Sequence, residues 1–274
     1  MYSFYTSLAK SLFCLVFARV YKRQVVPTRD LKGQTAIVTG ANSGIGLSVA
    51  VARTSQGATK CLAFRNPDRG AAAVDHVVVK CGDKSRERVT CTILDVGDLG
   101  SVHSFCQSWV QEYTKIDMLV HNAGIAAPPA GSSIKTNEGL EIMHTTNFLG
   151  SFLMTHLLEP HLSSRARVVI TSSTDSYSAI AHFAYDVART EGITAPGLFT
   201  QLIARSKAIL GLEAASSAPA YGLSKAQQVL LASLLQQRLT APATRATGRR
   251  MLLLWALRQR QFLANMTLHG RHGQ

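Results

Sequence analysis

An α/β fold with a parallel sheet covered on both faces is what this sequence predicts, on two observations. Short β-branched, apolar runs alternate with longer segments of helical periodicity, and the loops between them are brief. The first apolar run also ends in a turn with three glycines, directly ahead of a helical segment. The strand candidates are Thr35–Thr39, Lys60–Phe64, Val89–Leu94, Met118–His121 and Arg167–Ser172. Helix candidates are Leu47–Gln56, Pro67–Lys80, Leu99–Tyr113, Gly139–Leu158 and Ala226–Leu239. With 274 residues, 46% of them hydrophobic, the chain can bury one sizeable core, so one main domain is expected.

The first strand and its turn read Thr35-Ala36-Ile37-Val38-Thr39-Gly40-Ala41-Asn42-Ser43-Gly44-Ile45-Gly46. Glycines let backbone take positive φ and approach a pyrophosphate, whose charge then rests on the amides of the following helix. This narrows the expectation to a Rossmann-like, doubly wound, three-layer sheet. Ligands in such sheets bind beyond the carboxyl ends of the strands, so the residues just after each strand matter most. After the second strand stands Arg65, where an acidic residue would select NAD and an arginine suits the 2′-phosphate of NADP. After the third, Asp95 could accept from an adenine amino group or cap the helix that begins near Leu99. After the fourth comes His121-Asn122-Ala123-Gly124, whose small residues let backbone pass close to a ribose.

Composition bounds other functions. The net charge of +13 is uneven: the last acidic residue is Glu213, and eight basic residues follow it. No nucleic-acid motif accompanies them, so a solvated basic stretch is expected rather than a nucleic-acid partner. Five cysteines, an odd set with no CxxC pair, are expected as reduced thiols rather than metal ligands. Residues 1–18 are mostly apolar and Arg19, Lys22 and Arg23 follow them. The expectation is membrane attachment through segment 1–29, with the rest of the chain facing the cytosol; a helix laid on the domain is the alternative.

Taken in order, TGANSGIG (39–46), DV (95–96), HNAG (121–124), NFLGSFLMTHLL (147–158), RVVITSS (167–173) and YGLSK (221–225) resemble the short-chain dehydrogenase/reductase family. The phrases FRNPDRG (64–70) and TNEGLEIMHTTNFLGSFLMTHLL (136–158) resemble its retinol-dehydrogenase-like branch. The likeness runs from about Leu31 to Leu239. It implies NADP (NAD as the alternative) bound by Gly40, Ser43, Gly44, Ile45, Gly46, Arg65, Asp95, Asn122, Ala123, Gly124, Tyr221 and Lys225. It implies a catalytic tetrad of Asn147, Ser173, Tyr221 and Lys225, with Ser173 hydrogen-bonding the substrate oxygen and Asn147 positioning a water. The expected substrate is a small lipophilic alcohol or carbonyl, retinoid- or steroid-like. An endoplasmic-reticulum-like membrane location, or else the cytoplasm, and a homodimer are further expectations.

The tetrad has a physical rationale. A tyrosine ionises at about pH 10 unperturbed, a poor base near neutrality. A lysine four residues on lies one helical turn away on the same face, where its ammonium should favour the phenolate. Tyr185, followed by Arg189, is the competing pair, but a guanidinium is a poor stand-in for a compact ribose-binding ammonium.

Two stretches depart from the family pattern. The insertion at about 178–218 is long, with an apolar patch, and reads as a lid, an attachment loop or a surface excursion. After Leu239, Met251–Trp255 is a strand candidate, but no Pro-Gly turn follows, and 256–274 is a basic tail. The main domain is therefore placed at 30–255, with a sheet expected to be incomplete at its C-terminal edge. A catalytically impaired dinucleotide-fold protein with a binding or membrane-associated role is the alternative function.

Overall fold

The computed structural model describes residues 28–113, 115–128, 134–173, 175–176 and 218–240. Segment 1–27, residues 177–217 and residues 241–274 lie outside the described residues, so the expected anchor, nearly all of the insertion, Tyr185, the strand at Met251–Trp255 and the basic tail do too.

The alternating pattern folds as βα units. In chain order they are β1 (Thr35–Thr39), α1 (Gly44–Ser55), β2 (Thr59–Phe64), α2 (Pro67–Cys81), β3 (Val89–Ile93), α3 (Leu99–Glu112) and β4 (Ile116–His121). A short helical turn α4 (Ile142–His144), a π-turn (Thr145–Leu149) and α5 (Gly150–Leu158) follow, then β5 (Leu162–Ile170) and the long α6 (Ala218–Thr240). The sheet of the described residues is wholly parallel, in the order β3-β2-β1-β4-β5. The chain winds outward through β2 and β3, then returns to the far side of β1 with β4. That reversal opens a crevice between the carboxyl ends of β1 and β4, the place where such sheets receive ligands.

Each central strand is buried on both faces, which is why its sequence is a continuous apolar run rather than an alternating one. Ile37, Ala63 and Leu119 point to one face, where α3, α5 and α6 bring Val102, Phe105, Trp109, Met154, Leu158, Leu231 and Leu235. Ala36, Val38, Leu62, Met118 and Val120 point to the other, against α1 and α2 with Ala50 and Val77. Fully burying side chains such as Ile37, Leu62 and Leu119 contributes about 1.5–3 kcal/mol each, so both faces are held.

Two element bounds and one helix cap bear on the site. The helix expected from Gly139 starts at Ile142, because Gly139 turns the chain at φ 78° and the Glu141 carboxylate accepts from the Met143 and His144 amides. The fifth strand runs from Leu162 to Ile170, earlier than expected, which leaves Ser172 and Ser173 beyond its end. The helix α3 is capped by Asp98, whose carboxylate accepts from Gly100 and Ser101, so Asp95 is not the cap.

Candidate active site

The crevice is a cavity of about 390 Å³, lined among others by Gly40, Ser43, Gly44, Ile45, Arg65, Asp95, Asn122, Ala123 and Gly124. Nine of the positions picked out in the sequence thus share one wall. Gly46 sits behind that wall: a Cβ there would lie 2.3 Å from the Gly40 carbonyl oxygen and 2.5 Å from Asn122 Nδ2. Gly40 itself stands at φ 63° with its Cα edge against Ala123, so both positions exclude a side chain. Ser43 is the N-cap of α1 but its side chain makes no cap hydrogen bond, and no acidic residue occupies the first turn. First-turn amides left without a side-chain partner suit an anionic group, so the residues present fit a pyrophosphate.

Thr39, the last residue of β1, joins the two sides of the crevice. Its hydroxyl donates to the Val120 carbonyl at 3.2 Å and accepts from the Asn122 and Ala123 amides at 3.0 and 3.1 Å. Asn122 returns the contact, its Nδ2 donating to the Thr39 and Gly40 carbonyls, each at 3.3 Å. Sequence reading passed over Thr39 because a threonine closing a strand is ordinary; its position before Gly40 was the available signal. At the outer end, Arg65 approaches Asp95 at 3.8 Å, and Asp95 also accepts from the Gly97 amide at 2.9 Å. Arg69, in the first turn of α2, adds a second guanidinium to the same cavity wall.

The inner end is assembled from β5, the π-turn and α6. Ser172 and Ser173 follow the strand and diverge: the Ser172 hydroxyl donates to the Lys225 carbonyl at 2.8 Å, whereas the Ser173 hydroxyl donates to Asp175 and favours ionisation of the Tyr221 phenol. Ser173 is thus the serine that faces the phenol. Lys225 is buried, its ammonium donating to the Thr171 carbonyl at 3.0 Å and lying 5.6 Å from the centre of the Tyr221 ring. Gly124 brings the two ends together, since a Cβ there would come within 3.2 Å of Lys225 Nζ and 3.0 Å of Asn147 Oδ1.

Asn147 is fully buried and its side chain is taken up by protein. Its Oδ1 accepts from the Ile125 amide at 2.8 Å, while Nδ2 donates to the Ile125 carbonyl and to Ser224 Oγ, both at 2.9 Å. That side chain braces the β4 loop against α6. Asp175 was missed in the sequence although it stands two residues after Ser173; Ser173 donates to its carboxylate at 3.3 Å.

The electrostatics differ from the simple lysine argument. Burial raises the Tyr221 pKa, the Ser173 hydroxyl opposes this, and the Asp175 charge raises it further. The phenol is therefore held protonated, against the expectation that Lys225 would favour the phenolate. Burial also brings the Lys225 ammonium down to about 8. Desolvation is the largest cause for both groups, with Lys225 buried and Tyr221 half-buried.

Fold and site together define a doubly wound, parallel-sheet α/β protein whose glycine-walled crevice ends in a Ser/Tyr/Lys cluster. The model of the short chain dehydrogenase family matches residues 34–190, and the chain belongs to that family. Similar chains include Dehydrogenase/reductase SDR family member 13 of Bos taurus, 39% identical over 146 residues, which cover 53% of this chain and 37% of that protein. Retinol dehydrogenase 11 of Mus musculus is 36% identical over 156 residues, covering 56% of this chain and 48% of that one. The chain thus spans less than half the length of these curated relatives. Among solved structures, an uncharacterized protein from Mycobacterium Paratuberculosis aligns with a TM-score of 0.59 and 28% identity, over 90% of this chain and 79% of that one. A short chain dehydrogenase from Shigella flexneri, complexed with NADP, has the same fold at a TM-score of 0.53 and 19% identity, over 78% and 75%.

Proposed function

We propose that this chain is an NADP-dependent oxidoreductase that interconverts an alcohol and a carbonyl on a lipophilic, retinoid- or steroid-like substrate. The observation that carries the reading is buried Lys225, its ammonium 5.6 Å from the Tyr221 ring centre and close against Gly124 on the glycine-walled crevice. A bound nicotinamide would supply the hydride chemistry. The Gly40–Gly46 turn and the α1 amides hold the pyrophosphate, Asp95 reaches the adenine, and Arg65 with Arg69 meets the 2′-phosphate. Asn122, Ala123, Gly124 and Lys225 contact the riboses. Ser173 donates to the substrate oxygen, and Tyr221 passes a proton to it. A phenol held protonated suits donation to a carbonyl, which favours the reductive direction.

Support for NADP over NAD is the pair of guanidiniums on the outer wall and the absence of an acid at position 65. The lipophilic substrate rests on the likeness to retinol dehydrogenase 11. Membrane attachment rests on the apolar and basic composition of segment 1–29; among the described residues, no helix is long and apolar enough to cross a membrane. Leu223, Leu230 and Leu234 are exposed along α6, with Phe152 on α5, and support self-association as a homodimer.

A second reading, a catalytically impaired dinucleotide-fold protein with a binding role, draws on the Asp175 charge that opposes ionisation of Tyr221. The two separate in one assay: NADPH oxidation by the purified protein over a panel of lipophilic aldehydes and ketones, with Tyr221→Phe as control. Turnover that disappears in the variant is expected; turnover unchanged in the variant, or absent throughout, overturns the first reading.

A further inference from the structure

Two glutamines follow Lys225, and both reach from α6 to the segment that carries Asn147. Gln227 Oε1 lies 2.8 Å from His144 Nδ1. Gln228 Nε2 donates to the Asn147 main-chain carbonyl at 2.6 Å, and Gln228 is fully buried. One turn earlier on the helix, Ser224 Oγ accepts from Asn147 Nδ2. Positions 224, 227 and 228 share one helical face, so a single side of α6 grips this segment at three points.

The gripped segment is unusual backbone. Thr145–Leu149 forms a π-turn, in which the Gly150 amide reaches back to the Thr145 carbonyl. Widened turns of this kind are rare and tend to occur where a side chain must be aimed. Here the widening and the Gln228 bond together set where Asn147 stands, and Asn147 in turn fixes both backbone groups of Ile125 on the wall of the crevice.

A packing role alone does not account for the residue. Of the two ends of the glutamine head only the NH2 can donate, so the bond to the Asn147 carbonyl fixes the orientation of the Gln228 head. That orientation leaves Gln228 Oε1 buried with no hydrogen-bond partner among the described residues. A leucine or methionine of similar volume would fill the space without that penalty. The site bears the cost for the sake of the donor.

We propose that Gln228 is a positioning residue: its amide sets Asn147, and through it the Ile125 edge of the crevice, so that removing the donor slows turnover without loosening the cofactor. The turnover half of this statement rests on the oxidoreductase reading above; the positioning half does not.

The test uses the full chain with Gln228→Met, which keeps volume without a donor, and Gln228→Glu, which keeps shape but offers a carboxylate. Hydrogen exchange followed by mass spectrometry is expected to accelerate by about tenfold at residues 145–151 in both, with β1 and β2 unchanged. With NADPH and nonanal or retinal as substrates, kcat is expected to fall by about 10- to 100-fold while KM for NADPH stays within about twofold. Unchanged exchange at 145–151 in a folded Gln228→Met protein overturns the proposal, as does an unchanged kcat. If the unmodified protein shows no turnover, the oxidoreductase reading falls, and the exchange measurement alone decides the role of Gln228.

Discussion

The two ends of the crevice are built by different means. The outer end, from Gly40 to Asp95, is shaped by backbone: glycines that admit no side chain, a helix N-terminus, and residues that directly follow strands. The inner end is shaped by side chains that meet across long stretches of sequence. Asn147 and Ser224 are 77 residues apart, Lys225 and Thr171 54, Gln228 and Asn147 81. Backbone geometry is written locally and tolerates changes elsewhere. A lattice of buried polar contacts is exact but costly wherever a member lacks its partner.

Substitutions can separate these two modes of construction. The largest effect is expected at the inner end. Tyr221→Phe should lower kcat by about 10²- to 10⁴-fold while NADPH affinity, followed by fluorescence titration, stays nearly unchanged. At the outer end the pattern should invert. Gly46→Ala drives a Cβ into the Gly40 carbonyl, and overpacking of this kind costs about 1–3 kcal/mol, so NADPH affinity should fall by about 10- to 100-fold. If Gly46→Ala left affinity intact, the claim that backbone alone shapes the outer end would fail.

Between the two ends lies His121, fully buried at the close of β4 with Nε2 2.8 Å from Thr155 Oγ1. Burial brings its pKa down to about 4, against 6.5 for an ordinary histidine. Between these values the unfolded chain binds the proton and the folded one does not, so stability should fall as pH drops from about 6.5 towards about 4. The loss should approach 3 kcal/mol, roughly, in urea melts across that range. His121→Asn should flatten this dependence; an unchanged slope would place its origin elsewhere. The smallest effect is expected at Arg65→Ala, because that guanidinium is largely exposed and already near Asp95. A loss of about tenfold in NADPH affinity, with NADH unaffected, is the expected outcome. Equal losses for both cofactors would remove Arg65 from 2′-phosphate recognition.

The same contrast explains what was legible in the sequence. The parallel sheet, the glycine turn and the post-strand residues Arg65, Asp95 and Asn122 were readable because each is a local pattern with a backbone cause. Ser173, Tyr221 and Lys225 were found through family resemblance, and the structure brings them together. Their electrostatics were not readable: the lysine spacing pointed to an ionised phenol, whereas burial and Asp175 hold it protonated. Burial is a property of the assembled core and leaves no mark at i, i+4. Nor did the apolar run at 139–158 disclose its π-turn, since a one-residue widening barely disturbs helical periodicity. Gln228 and Thr39 were invisible for a related reason. Neither residue type is informative until its partners, 81 residues away for Gln228 and 81 to 84 for Thr39, are in place.

The Thr39 hydroxyl serves Val120, Asn122 and Ala123 at once, so it works as a rivet between two neighbouring strands. A rivet transmits as well as fastens. Damage to the glycine turn should reach the residues around Lys225 through it, and paired substitutions across it should depart from additivity, whereas pairs in α2 and α5 should simply sum. Thr39→Ser keeps the hydroxyl and should preserve that coupling; Thr39→Val keeps the shape and should cut the two ends loose from each other.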